Sequence, residues 1–260
     1  MTVLLSVRDL TRSYYGVQAL RGASFDVRAG TITALIGPNG AGKTTAFQCI
    51  TGVVPPDGGQ VIFAGQDITG WRADRVTRAG LTRTFQIARG ISRLSVLDNL
   101  LLYAERQPGE GLVAAFLGGG QSAELLARDR AMQILKRLNL LHVAGNAAGA
   151  LSGGQKKLLE IGRALMANPK LILLDEPIAG VNPTLAGQIA EHLRVLCSEG
   201  ITFLVIEHHM DMIARLCDPV IVMAEGRHLT EGSFADIAAD PRVQEAYMGS
   251  RPMTEEGVHA

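Results

Sequence analysis

The chain has 260 residues, 47% of them hydrophobic and 19% charged, so it carries the apolar content of a packed core and lacks the charge density of an extended disordered chain. At about 150 residues per domain, this length admits one large domain or two small ones. Lysine plus arginine number 25 and aspartate plus glutamate 25, which excludes a global basic field that would hold a nucleic-acid backbone by electrostatics alone. Cys49, Cys197 and Cys217 are odd in number and lie far apart without C-x-x-C spacing, a pattern of unpaired core thiols in a reducing compartment.

The first ten residues, MTVLLSVRDL, reach Arg8 and Asp9 after an apolar run too short for a signal-peptide core. From residue 1 to about 86, β-type runs (LLSV, ASFDV, TITALI, QVIFAG, LTRTF) alternate with Gly and Asp, and one helix is predicted from near Gly42. From 87 to 160, SVLDNLLLYAE and AELLARDRAMQILKRLNLL repeat apolar residues three and four apart, which predicts a helical lobe. The glycine-rich QPGEGLVAAFLGGGQ between them predicts a mobile loop around a short apolar segment. From 161 onward, LILL, TFLVI and VIVMA alternate with helices predicted at 184–198 and 209–216. That is the pattern of buried parallel strands with crossover helices. The expected organisation is one domain over 1–250, with 1–86 and 161–250 forming a core and β region, 87–160 helical, and 251–260 a frayed tail. The longest apolar runs fall well short of the ~20 residues that cross a bilayer, so work at a membrane would need a partner.

The strand TITALI runs into Gly37-Pro38-Asn39-Gly40-Ala41-Gly42-Lys43-Thr44-Thr45, which satisfies G-x-x-x-x-G-K-[ST] in its strand-to-helix context. Glycines leave the backbone open, so successive N–H groups can face phosphate oxygens, and the dipole of the following helix adds positive potential. Lys43 is expected to bridge β- and γ-phosphates, Thr44 to ligate Mg²⁺ and Thr45 to contact the α-phosphate. At the end of LILL stand Asp175 and Glu176, then Pro177. Neighbours on a strand point apart unless the backbone turns, so the two acids take different tasks. Asp175 suits an outer-shell or direct Mg²⁺ contact; Glu176 suits orienting and deprotonating the attacking water.

Leu151-Ser152-Gly153-Gly154-Gln155 precedes the amphipathic LLEIGRALM. A serine, two glycines and a helix start make a second anion site. Because the chain already has one phosphate loop, this second site calls for the γ-phosphate of an ATP bound to another copy or to a paralogue.

GPNGAGKTT, LSGGQ and LILLDEP, in that order, resemble the ATP-binding cassette of ABC transporters, and the resemblance covers nearly the whole chain. It implies an α/β fold: a RecA-like mixed sheet core with a P-loop, an antiparallel β subdomain and an inserted α-helical subdomain. It also implies ATP hydrolysis with Mg²⁺. By position, Gln86 in RTFQ resembles the glutamine that contacts Mg²⁺ and water, and His208 in VIEHHM the switch histidine of the γ-phosphate. Tyr15, in preference to Tyr14, resembles the aromatic that stacks on adenine. Asn182 stands where many cassettes carry an aspartate in the loop touching the opposite subunit. Gly162 replaces a usual alanine and His209 a usual aspartate.

RTFQ, VLDNLLLYAERQ, DEPIAGVNP, VIEHHM and the tail DPRVQEAYMG look most like ATP-binding subunits of branched-chain amino-acid importers. Cassettes for urea or lipopolysaccharide share many of these phrases. The resemblance implies transmembrane permease subunits, a second cassette (self or paralogue), indirect contact with a periplasmic binding protein, and a peripheral place on the cytoplasmic face of the inner membrane. It implies no nucleic-acid partner; a nucleic-acid-associated cassette, the rival from another class, usually carries paired cassettes or long coiled coils. The coupling surface is expected near Gln86 and IARGISRLSVLDN, where Arg83, Arg89 and Arg93 supply positive charge.

Overall fold

The computed structural model describes residues 2–84, 92–104 and 120–248. Two sheets organise it. Strands β1 (Val3–Tyr14), β2 (Val17–Arg28), β4 (Gly58–Phe63) and β5 (Gln66–Asp67) form an antiparallel sheet in the order β2-β1-β4-β5. The second sheet has six strands, in the order β10-β9-β3-β8-β7-β6. It contains β3 (Ile32–Ile36), β6 (Leu81–Arg83), β7 (Leu171–Asp175), β8 (Thr202–Ile206), β9 (Val220–Ala224) and β10 (Arg227–Gly232), parallel throughout except for the β9–β10 hairpin.

The parallel strands read as continuous apolar runs because both of their faces are covered. Along β3, β7, β8 and β9 alternate residues enter two different cores. Ile36, Leu174, Val205 and Val222 face the helical side; Leu35, Leu173, Leu204 and Met223 face the antiparallel sheet. Helix α1 (Lys43–Ile50) lies in the second core through Ala46, Phe47, Cys49 and Ile50, so the helix that follows the phosphate loop is held between the two sheets. Of the cysteines, Cys49 and Cys217 are buried and Cys197 is half-buried.

A short α2 (Ala73–Arg78) leads into β6, and the helical side is built from α3 (Val96–Leu101), α4 (Gly120–Arg137) and α5 (Gly153–Met166). The expected division at residue 160 falls inside α5, which runs unbroken from the helical side into the core. Gly162 sits where the three helices meet: a Cβ there would lie 3.1 Å from Leu100 and Leu138 and 3.4 Å from Ile134. Close packing thus accounts for the glycine. Helix α6 (Pro183–Ser198) and α7 (Met210–Leu216) are the crossovers, and α8 (Phe234–Ala239) and α9 (Pro241–Met248) close the chain.

Candidate active site

Ligands of open α/β sheets bind outside the carboxyl ends of the strands. Here β3, β8 and β7 are consecutive neighbours, and their carboxyl ends lead into Gly37, His208 and Glu176 respectively. A cleft of about 720 Å³ opens there, lined by Val17 and Gln18, by the loop from Asn39 to Thr45, and by Glu176 and His208.

The phosphate loop is fixed by close approaches. Gly37 has φ 147, and a Cβ would fall 2.0 Å from the Met223 carbonyl oxygen; at Gly42 it would fall 2.5 Å from that of Ala19. Helix α1 starts without a side-chain cap, so the N–H groups of its first turn, from Lys43 to Thr45, face the cleft without helical acceptors. Lys43 is only 6% exposed and donates to the carbonyls of Gly37 at 2.7 Å and Pro38 at 2.9 Å. Burial pulls its pKa down, and the carboxylates of Glu176 and Asp175 oppose that shift. An ammonium in such surroundings gains most from an added anion.

The backbone does turn between the two acids. Glu176 has φ 50, a conformation that costs about 1–3 kcal/mol for a residue with a side chain. Its N–H donates to the Ile206 carbonyl at 2.9 Å, and its Oε1 lies 3.2 Å from Nε2 of His208. Asp175 faces the other way and accepts from the Arg83 guanidinium at 2.7 Å. The expectation that Arg83 belongs to a positive coupling surface is therefore corrected: its side chain is 12% exposed and paired with Asp175. Arg93 is exposed. Gln86 and Arg89 lie outside the described residues, and so does most of the glycine-rich loop.

Sequence reasoning missed Glu207. Its carboxylate is buried and accepts from the N–H groups of Ile178 (3.3 Å), His208 (2.9 Å) and His209 (3.4 Å). It thereby ties the loop after Glu176 to the loop of His208. The available signal was an acid at the end of an otherwise apolar strand, VIE. His209 is the N-cap of α7 but makes no side-chain cap bond; the neighbours of His208 are supplied by Glu176 and Glu207.

Tyr15 and Gly16, with φ 50 and 86, form the two-residue turn between β1 and β2, a geometry that suits the twist of the paired strands. Tyr15 is fully exposed at its tip. Tyr14 instead carries Arg12 over its ring and donates to Gln48 at 3.5 Å.

The Ser152 turn is not brought to this cleft. Ser152 caps α5: its oxygen accepts from the Gln155 N–H at 3.3 Å, while its own N–H donates to the Gln155 side chain at 3.0 Å. Gly153 follows at the first helical position and Gly154 is buried. Ser152 and Gln155 line a different cleft, between α5 and α6. Asn182 caps α6, accepting from the Leu185 N–H at 2.9 Å, a task asparagine and aspartate perform equally well. Among the described residues no cluster of three or more His, Cys, Asp or Glu is arranged to hold a metal ion, and no helix is long and apolar enough to cross a membrane.

Residues 20–179 match the family model for the ABC transporter, and residues 227–252 that for the branched-chain amino acid ATP-binding cassette transporter. The chain belongs to the ABC transporter family. It is an ATP-hydrolysing ATP-binding subunit of that family, built on the α/β fold of its cassettes. The cassette is 41% identical to a probable branched-chain amino acid transport ATP-binding protein, LivG, of Methanocaldococcus jannaschii, over 95% of this chain and 97% of the relative. The high-affinity branched-chain amino acid transport ATP-binding protein LivG of Escherichia coli is 35% identical over 95% of this chain and 98% of its own. A nucleotide-free ATP-binding cassette from an ABC transporter superposes with a TM-score of 0.84 at 40% identity, covering 94% of this chain and 98% of that one. The ADP conformation of an ATP-binding cassette of an ABC transporter gives 0.84 at 38% identity, covering 96% of this chain and 100% of that one.

Proposed function

We propose that this cassette drives import of branched-chain or related amino acids, working at the cytoplasmic face of the inner membrane against transmembrane permease subunits that a periplasmic binding protein supplies. The names of its relatives and the match of its C-terminal segment support the amino-acid assignment. One observation carries the chemistry: Glu176 and His208 converge to 3.2 Å beside the phosphate loop.

In this reading ATP lies in that cleft, with Tyr15 stacked on the base and the loop from Gly37 to Thr45 around its phosphates. Lys43 holds the β- and γ-phosphates, and Thr45 the α-phosphate. Glu176 takes a proton from the attacking water, and His208 orients the γ-phosphate and steadies the carboxylate it touches. The protein offers few ligands of its own for Mg²⁺, which fits an ion held by one carboxylate and a few neutral side chains plus phosphates and water. Thr44, Asp175 and Gln86 would hold it, and when bound it neutralises phosphate charge.

A second cassette, identical or paralogous, meets this one through Asn182 and places its Ser152, Gly153, Gly154 and Gln155 over the nucleotide. Moving a two-state equilibrium from 1:99 to 99:1 takes about 5.5 kcal/mol of differential binding, or ~2.7 per nucleotide. Charge-assisted hydrogen bonds contribute about 1.5–3 kcal/mol each, so the Ser152 hydroxyl and a backbone N–H suffice.

The test is Glu176→Gln. Hydrolysis is expected to fall by about 10²–10⁴-fold with loss of the general base, while ATP still binds and light scattering reports a dimer. ATP-bound monomers only would refute the paired arrangement. Leucine uptake into vesicles carrying the reconstituted transporter, abolished by the same variant, tests the substrate class.

A further inference from the structure

Within one chain, none of the residues from Ser152 to Gln155 lines the cleft of the phosphate loop. A response of that turn to the chain's own nucleotide must therefore travel through protein. Two contacts offer a short route. The Lys157 ammonium donates to the main-chain oxygen of Glu176 at 3.4 Å. Its side chain is 19% exposed, and Glu160, on the same helix, is 3.9 Å away. From the other side α6, which starts at the Asn182 cap, sets Leu185 against Gly154: a Cβ on Gly154 would lie 2.0 Å from the Leu185 Cδ2. Beside this contact α5 and α6 part into a cleft of about 610 Å³ lined by Ser152, Gln155, Leu185 and Gln188.

We propose that Lys157 and Leu185 are positioning residues that couple a chain's own nucleotide to its own Ser152 turn, which serves the opposite nucleotide. The inference rests on the roles given above to Glu176 and Ser152. Glu176 sits in the left-handed region, where a residue with a side chain stays only if its surroundings hold it there. Its N–H is held by Ile206, and its carbonyl accepts from the Ala179 N–H at 3.1 Å and from Lys157 at 3.4 Å. A nucleotide that shifts the Glu176 turn thus pulls on α5. From Lys157 to Ser152 is about 7.5 Å of continuous helix at ~1.5 Å per residue, stiff enough to carry the shift to the turn. Leu185 transmits the same movement through α6, because Gly154 leaves no gap in which the two helices can slip.

Hydrogen exchange of the full-length chain tests this, with and without a non-hydrolysable ATP analogue and Mg²⁺, at concentrations where light scattering reports monomers. Analogue binding is expected to slow exchange over residues 152–158 by about fivefold or more in the wild type. In Lys157→Met and in Leu185→Ala the slowing is expected to shrink below about twofold while analogue affinity changes by less than about twofold. Lys157→Arg, which keeps a donor to the Glu176 carbonyl, is expected to retain the slowing, which separates a positioning role from a packing defect. A wild type without the slowing, or a Lys157→Met chain that keeps it, overturns the proposal. The Leu185 half has its own check: Gly154→Ala should lower Tm, and adding Leu185→Ala should recover most of the loss. No recovery refutes that half. A Glu176→Gln chain that stays monomeric in ATP would instead sink the paired arrangement and leave the monomer exchange result standing, so the two failures are distinguishable.

Discussion

At the phosphate loop, α1 starts from a glycine turn wedged against the Met223 and Ala19 carbonyls, with a buried lysine and no side-chain cap. At the Ser152 turn, α5 starts from exposed residues that cap one another. Both ends offer a helix dipole to an anion, but the first has no side-chain cap, whereas at the second Ser152 caps the Gln155 N–H. The contrast teaches how, in the arrangement proposed above, one chain would carry two anion sites with different tasks. The uncapped end is held open by its surroundings and binds unaided. The self-capped end, in the arrangement proposed above, takes its phosphate from the partner's nucleotide.

The sharpest way to break this contrast is to remove one group from each end. Lys43→Met removes charge-assisted hydrogen bonds worth about 3 kcal/mol in all, so calorimetry on the isolated chain should show nucleotide affinity lower by about a hundredfold. Ser152→Ala should change that affinity by less than about twofold and yet abolish ATP-driven dimers. Equal losses in the two variants would erase the distinction.

The Arg83–Asp175 pair sharpens the contrast from the electrostatic side. Arg83→Gln leaves a largely buried carboxylate unpaired and is expected to cost about 3 kcal/mol in urea unfolding, whereas the exposed Ser152 turn has no such pair to lose. An unchanged denaturation midpoint would mean that water already compensates Asp175. At the start of α6 the effect is smaller. Asn182→Ala should cost about 1 kcal/mol and Asn182→Asp less than about 0.5, read from the same denaturation curves.

Gly162→Ala should have the smallest effect. Helix propensity favours alanine by about 1 kcal/mol, and the 3.1 Å approaches of Leu100 and Leu138 oppose it by a similar amount. Thermal unfolding should shift by less than about 4 °C either way.

Much of this was legible in the chain because it is local. The parallel strands announce themselves as LILL, TFLVI and VIVMA, and the loop from Gly37 to Thr45 needs glycine wherever backbone meets backbone. The start of α6 was expected at residue 184 and is observed at Pro183. What stayed hidden depends on who lies opposite. Nothing in RTFQ says that Arg83 turns inward to Asp175, a residue 92 positions away. Nothing in VIEHHM says that Glu207 gathers three backbone N–H groups. Lys157 and Leu185 look like an ordinary helix lysine and core leucine until α5 and α6 are seen together. The family resemblance supplied motif roles for Tyr15, Gln86 and His208, but it could not supply these long-range pairings.

The position of Cys49 on α1 has a consequence for oxidising conditions. Burial pushes its thiol up to about 11 and that of Cys217 to about 12, and Cys197 is raised as well. Alkylation and peroxide attack need the thiolate, which at neutral pH is then a fraction of about one in ten thousand at Cys49. Iodoacetamide should therefore label the folded chain far more slowly than the urea-unfolded one, and ATP turnover should survive brief peroxide treatment. The helix beneath the phosphate loop thus carries a sulfur atom that burial makes slow to react with oxidants.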